Sequence, residues 1–257
     1  MEVHHHSHTA RKKWTHYFWE FLMLFLAVFC GFLAEYKLEH TIEHERGKKY
    51  AAFLYDDLRK DTLLLSTRTQ FMQNGIAKLD TLIAALQHFT NADSAITKIY
   101  TLSTYAYAAP FFGATTSTLE QLKFSGSLRY FKNNKLIRSF TEYDNDLNNL
   151  KYVEQMNTYL AEEMRKFLVQ FLDLNYIPRY ISDSTGIKLV NPQSAEGLKI
   201  YRIDKPVFEQ YANLCRLKQF DWANRIGLQK ALLHSGKELI TSLNKEYRLS
   251  VRYPLEK

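Results

Sequence analysis

A run of 18 residues carrying a single charge, 17–34 (YFWEFLMLFLAVFCGFLA), constrains this chain more than any other part of it. A bilayer core takes about 20 apolar residues of helix, each adding about 1.5 Å. The run is apolar around its whole circumference, whereas a surface helix buries only one stripe. Trp14, Tyr17 and Trp19 stand at its start and Tyr36 just past its end, with Phe25 near its middle. Amphipathic rings at both ends suit the headgroup layers. Glu20, the one charge, lies a turn inside. An intramembrane carboxylate is a functional candidate by default, but this one is close enough to the edge to reach the interface. Trp14, Tyr17, Trp19, Glu20, Phe25 and Tyr36 thus form an expected membrane anchor, with the lipid bilayer as first partner.

A basic tail ahead of an apolar stretch also suits a cleaved signal peptide. No small-x-small site closes the run, however, and Phe29 is bulky for a lipoprotein site at Cys30. An uncleaved, single-pass anchor is the expectation. Arg11, Lys12 and Lys13 form a compact cluster before the span, while Lys37, Arg46, Lys48 and Lys49 follow it. The compact cluster points to an internal tail and an external bulk domain. The expected organisation is a basic, His-rich tail over 1–16, a transmembrane helix over 17–36 and a helical bundle over 37–257.

Beyond the anchor, breakers are scarce, with 9 Gly and 5 Pro in 257 residues. Few turn signals mean long helices, and a sheet-rich domain of this size needs many more. The expected class is all-α, an elongated antiparallel bundle with at most a small β-hairpin. One long helix or two collinear ones are predicted over 38–89 from Phe53, Leu54, Leu58, Leu64, Leu65, Ile76, Leu79, Ile83 and Leu86, with Gly47 and Gly75 as weak points and candidate bends. A shorter helix follows over 94–109, ended by Pro110 and Gly113. Ser117 with Glu120 makes a capping box that opens a helix through Phe124, and Ser125-Gly126 breaks it. Apolar spacing from Leu136 to Leu174 predicts one continuous helix of the coiled-coil seam type. The stretch 176–205 reads as an irregular connection, with 187–190 and 198–203 as its candidate strands. Asp204 as N-cap and Pro206 in the first turn open a last helix that runs to Tyr247.

The chemistry-bearing motifs are thin. His40-x-x-Glu43-His44 has the spacing of an inverted zinc-peptidase motif, with both histidines on one helical face. It lies on a helix dense with charges, where such a triplet arises by chance, and no third ligand is apparent. The reading is a solvated face, with a metal-dependent hydrolase as the residual alternative. His4, His5, His6 and His8 resemble a weak metal-binding tract, not a dedicated site. No P-loop, dinucleotide fingerprint, nucleophile elbow or C-x-x-C occurs, so no cofactor and no enzymatic activity are expected. Cys30 and Cys215 are too far apart in the chain to suggest a disulfide framework, and Cys215 reads as a small buried residue. The net charge of +7 is spread along helices instead of gathered in one patch, which argues against nucleic acid as a partner.

Two stretches carry a resemblance. The first is the anchor followed at once by Glu43-His-Glu-Arg-Gly-Lys-Lys-Tyr and Leu54-Tyr-Asp-Asp-Leu-Arg-Lys-Asp61; the second runs from Ser117 to Arg138, with Leu122, Ser125, Gly126, Leu128, Asn134 and Leu136 as its matching residues and Phe131 in an aliphatic place. Together they resemble uncharacterised bacterial single-pass membrane proteins with a helical domain after the anchor. The resemblance covers roughly the first 145 residues. It implies an inner-membrane location and brings no activity with it. Ser125 and Gly126 would there be a helix break that sets the angle between two bundle helices. The functional expectation is a non-catalytic, membrane-anchored scaffold or interaction protein of the bacterial cell envelope, with a protein partner or a second copy. The alternative is an extracytoplasmic ligand-sensing bundle that relays through a membrane partner.

Overall fold

The computed structural model describes residues 14–156, 158–183, 186–190 and 198–249. His4, His5, His6, His8 and the basic cluster Arg11, Lys12 and Lys13 lie outside these. The chain divides into two compact units, 1–49 and 50–257. Among the described residues six α-helices carry the fold: α1 (Trp14–Gln87), α2 (Asp93–Tyr107), α3 (Ser117–Phe124), α4 (Asn134–Met156), α5 (Thr158–Leu168) and α6 (Lys205–Tyr247). One long apolar N-terminal helix followed by a helical domain is therefore the architecture, as the breaker count and apolar spacing require.

In the first unit α1 stands as a single helix with its apolar run uncovered: none of the 18-residue window is buried. Phe21, Phe25 and Phe29 stack ring on ring along one side, at 6.2 and 5.9 Å between centroids.

The second unit is built on heptad seams. On α1 the buried positions include Ala51, Leu54, Leu58, Asp61, Leu65, Arg68, Met72, Gly75, Leu79, Leu82 and Leu86. On α6 they include Tyr211, Cys215, Lys218, Trp222, Arg225, Gln229, Leu232, Gly236, Leu239 and Leu243. Each series steps by alternating threes and fours, the 3.5-residue repeat that keeps one stripe of a helix against its neighbours. The two helices run antiparallel. Thr69 bonds Gln229 at 2.9 Å, Gln219 bonds the Ile76 carbonyl at 3.0 Å, and Gly75 lies under the Trp222 ring. On α4, Leu136, Phe140, Tyr143, Leu147, Leu150 and Glu154 make the third seam.

Of the two readings of this stretch, one long helix holds, since α1 is helical through both Gly47 and Gly75. Three expectations need correction. The continuous helix expected from Leu136 to Leu174 is two helices, α4 and α5, and α5 stops at Leu168. α4 ends at Met156 and α5 begins at Thr158. Past α5, Asp173 accepts from the Asn175 amide and caps a 3-10 turn, Leu174–Tyr176, which turns the chain away. The hairpin pairs β1 (Arg179–Asp183) with β2 (Gly186–Val190) in the register Arg179↔Val190, not 187–190 with 198–203. A partner two residues upstream closes with far less loop than one seven residues downstream. Ile200 instead bridges Leu172, and the Tyr201 amide donates to the Phe171 carbonyl. Finally, α3 begins at Ser117 but Thr116 is its N-cap and makes no side-chain cap bond. Acidic residues of α1 bind this end instead, as the Thr118 hydroxyl donates to Asp57 at 2.5 Å.

Candidate functional site

The segment 108–114 alternates buried and exposed residues, with Ala108, Pro110 and Phe112 inside and Ala109, Phe111 and Gly113 outside. That is the pattern of a strand, yet among the described residues no strand pairs with it. Buried backbone N–H and C=O groups must still find partners. Charged side chains from three helices supply them. Lys218 Nζ donates to the Ala108 carbonyl at 2.5 Å, and Arg225 Nη2 donates to the Pro110 carbonyl. The Phe112 amide donates to both Glu154 oxygens at 3.3 Å. Further along, the Thr115 amide and hydroxyl donate to Asp61 at 3.0–3.1 Å. The charged groups take the place of a neighbouring strand's ladder.

These residues occupy seam positions. Asp61 is on α1, Glu154 on α4, and Lys218 and Arg225 on α6. The apolar core divides at this level: one cluster holds Met72, Leu160 and Trp222, the other Leu65, Leu150 and Leu232. Between them sit Arg68, Thr69, Glu154, Arg225 and Gln229, all buried. Arg225 Nη2 lies 2.7 Å from Glu154 Oε1, with their side chains only 8% and 3% exposed, and Arg225 Nη1 lies 3.7 Å from Asp221.

Burial dominates the electrostatics. It pushes the Glu154 carboxyl up from the ordinary range, against the pull of Arg225 and the Phe112 amide. It raises Asp221 likewise, opposed by Arg225 and Lys218. It raises Asp61, opposed by the Thr115 bonds. Burial also pushes the Lys218 ammonium down to about 8, with Asp221 working the other way. The Cys215 thiol, one turn before Lys218, is pushed up to about 12 by burial, so it stays a protonated core residue.

Beside this layer is a pocket of about 270 Å³. Glu154, Lys218, Asp221 and Arg225 form its charged wall, Ala109, Pro110, Leu160 and Ala161 its apolar wall, and Phe111, Thr158, Glu162 and Arg165 its remaining lining.

The residues singled out from sequence are elsewhere. Trp14, Tyr17, Trp19, Phe25 and Tyr36 are all exposed on α1, and Glu20 pairs with His16 at 3.3 Å. Gly126 adopts φ +70°, the left-handed geometry that ends α3, and the Ser125 hydroxyl donates to the Gln121 carbonyl. His40 packs its ring edge-on to Tyr36 at 4.4 Å and lies 4.0 Å from Glu43. Among the described residues, no group of three or more His, Cys, Asp and Glu is gathered to hold a metal ion. The buried charges were missed because Asp, Arg, Glu and Lys on an apolar stripe look like interruptions. Their signal was phase, since each falls on a three-four step of its own helix. Comparison with family models, curated proteins and solved structures finds no match to this chain.

Proposed function

We propose that this chain is a membrane-anchored, non-catalytic interaction protein of the bacterial cell envelope, held by α1 and presenting its helical unit to a protein partner or a second copy. The observation that carries the reading is the uncovered apolar window of α1. An apolar run of this length open to solvent in water would be a severe liability; in a bilayer it is at home. From Tyr17 to Tyr36 the helix rises about 28 Å, close to the hydrocarbon thickness. What supports a non-catalytic role is the use of the buried charges: Asp61, Glu154, Lys218 and Arg225 bind backbone of one connecting segment. The basic cluster ahead of the span supports a bulk domain on the periplasmic side.

The test has two parts. The chain should stay in the membrane pellet through an alkaline wash, while Val28→Arg should shift it toward the soluble or degraded fraction. Reporters fused after Lys257 should be active only outside the cytoplasm. Release of the unaltered chain by the wash would overturn the anchor; reporter activity inside would overturn the orientation.

A second reading, a ligand-sensing bundle that relays through a membrane partner, is favoured by one observation. The pocket between Pro110, α5 and α6 is charged on one wall and apolar on the other, the composition of small-molecule sites.

A further inference from the structure

We propose that this pocket binds a small zwitterion of the free α-amino-acid class, its carboxylate received by Lys218 and Arg165 and its ammonium by Asp221 and Glu162. The inference rests on the sensing reading and names its ligand.

Three observations carry it. The first is size: about 270 Å³ lies just under the range of about 300–1,000 Å³ usual for drug-sized ligands, so a small metabolite fits and a nucleotide does not. The second is charge. The buried wall has two cations, Lys218 and Arg225, and two carboxylates, Glu154 and Asp221, and the other lining adds Arg165 and Glu162, one of each sign. A ligand with net charge would leave that charge uncompensated in a poorly hydrated place, which is costly; a zwitterion keeps the site neutral. The third is unspent hydrogen-bonding capacity on this wall. An ammonium has three N–H groups, and the bond from Lys218 to the Ala108 carbonyl uses one. Arg225 Nε is buried without a hydrogen-bond partner. Asp221, beside Arg225 and only 8% exposed, sets a carboxylate on the same wall. Pro110, Leu160 and Ala161 then offer an apolar side chain a surface to lie on.

The experiment uses the full chain in detergent micelles. Thermal unfolding and calorimetry are run against the twenty proteinogenic L-amino acids, then against the amide and the N-acetyl form of any that binds. Monosaccharides, dicarboxylates and diamines serve as the comparison set. Thr158→Trp, at an exposed lining position, blocks the pocket without touching the core. At least one amino acid should raise Tm by about 5–10 °C at a hundredfold excess over its Kd. Its amide and its N-acetyl form should each bind at least tenfold more weakly, and Thr158→Trp should abolish the shift while leaving the unliganded Tm in place. Equal binding of the amide or the N-acetyl form would overturn the zwitterion. A shift with a sugar, dicarboxylate or diamine alone, lost in Thr158→Trp, would overturn the amino-acid class and leave the sensing reading standing. No shift with any compound would overturn both.

Discussion

Gly75 sits inside α1, where alanine is favoured over glycine by about 1 kcal/mol, yet a Cβ built there lies 2.1 Å from the Trp222 ring. Trp222 is wholly buried and has no room to retreat. Overpacking of this kind costs about 1–3 kcal/mol and outweighs the helix gain. Gly75→Ala should therefore lower the urea midpoint, while Gly227→Ala, on the exposed side of α6 with nothing within 4 Å, should raise it. Two shifts of the same sign would refute the account. A second residue-scale effect concerns protons. Lys218 holds its proton more weakly folded, at about 8, than its ordinary 10.5. Between those values the unfolded chain binds the extra proton, so the Lys218 contribution rises with pH; it is fully present above 10.5 and lost as pH falls through 8. Unfolding free energies of the unaltered chain and of Lys218→Met should thus diverge in favour of the unaltered chain from pH 7.5 to 10. Parallel curves would mean that the ammonium is not desolvated. At this scale the sequence is legible only in part: a glycine in a helix signals weakness, and only Trp222, 147 positions away, reveals it as a fitted gap.

At the scale of elements, the informative case is the segment that links α2 to α3. Its carbonyls and amides are bonded by side chains, so its place depends on three helices being assembled. Removing one member of a buried ion pair strands the other and costs about 3–5 kcal/mol, whereas replacing both with apolar groups is often far milder. Arg225→Met alone should destabilise by that amount, and Glu154→Leu/Arg225→Met should recover part of it. Recovery should be incomplete, because the Phe112 amide and the Pro110 carbonyl still lose their partners. Additive losses in a double-mutant cycle would deny the coupling. The helices were readable from apolar spacing: the end of α6 at Tyr247 and the start of α3 at Ser117 are where local signals put them. The division between α4 and α5, the β1–β2 pairing and the polar layer were not. Each depends on which distant group satisfies a backbone or a charge, and no local propensity records that.

For the whole molecule, the anchor and the bundle differ in how they answer to a single charge. An arginine near the centre of a membrane helix costs about 2.5–3.5 kcal/mol on insertion, which is why Val28→Arg is the decisive variant. In the second unit an arginine already stands in the core seam, tolerated because Arg225 meets the Glu154 carboxylate and the Pro110 carbonyl. A heptad repeat by itself would permit α6 to slide along α1 by seven residues and find an equivalent set of positions. Here a slide brings Trp222 level with Arg68 or Leu82 instead of the space at Gly75, and neither leaves room for an indole. The indole and the missing methyl act as a detent on an otherwise regular ratchet. Motion between these two helices is thereby confined to rotation or tilt, and travel along their length is locked out.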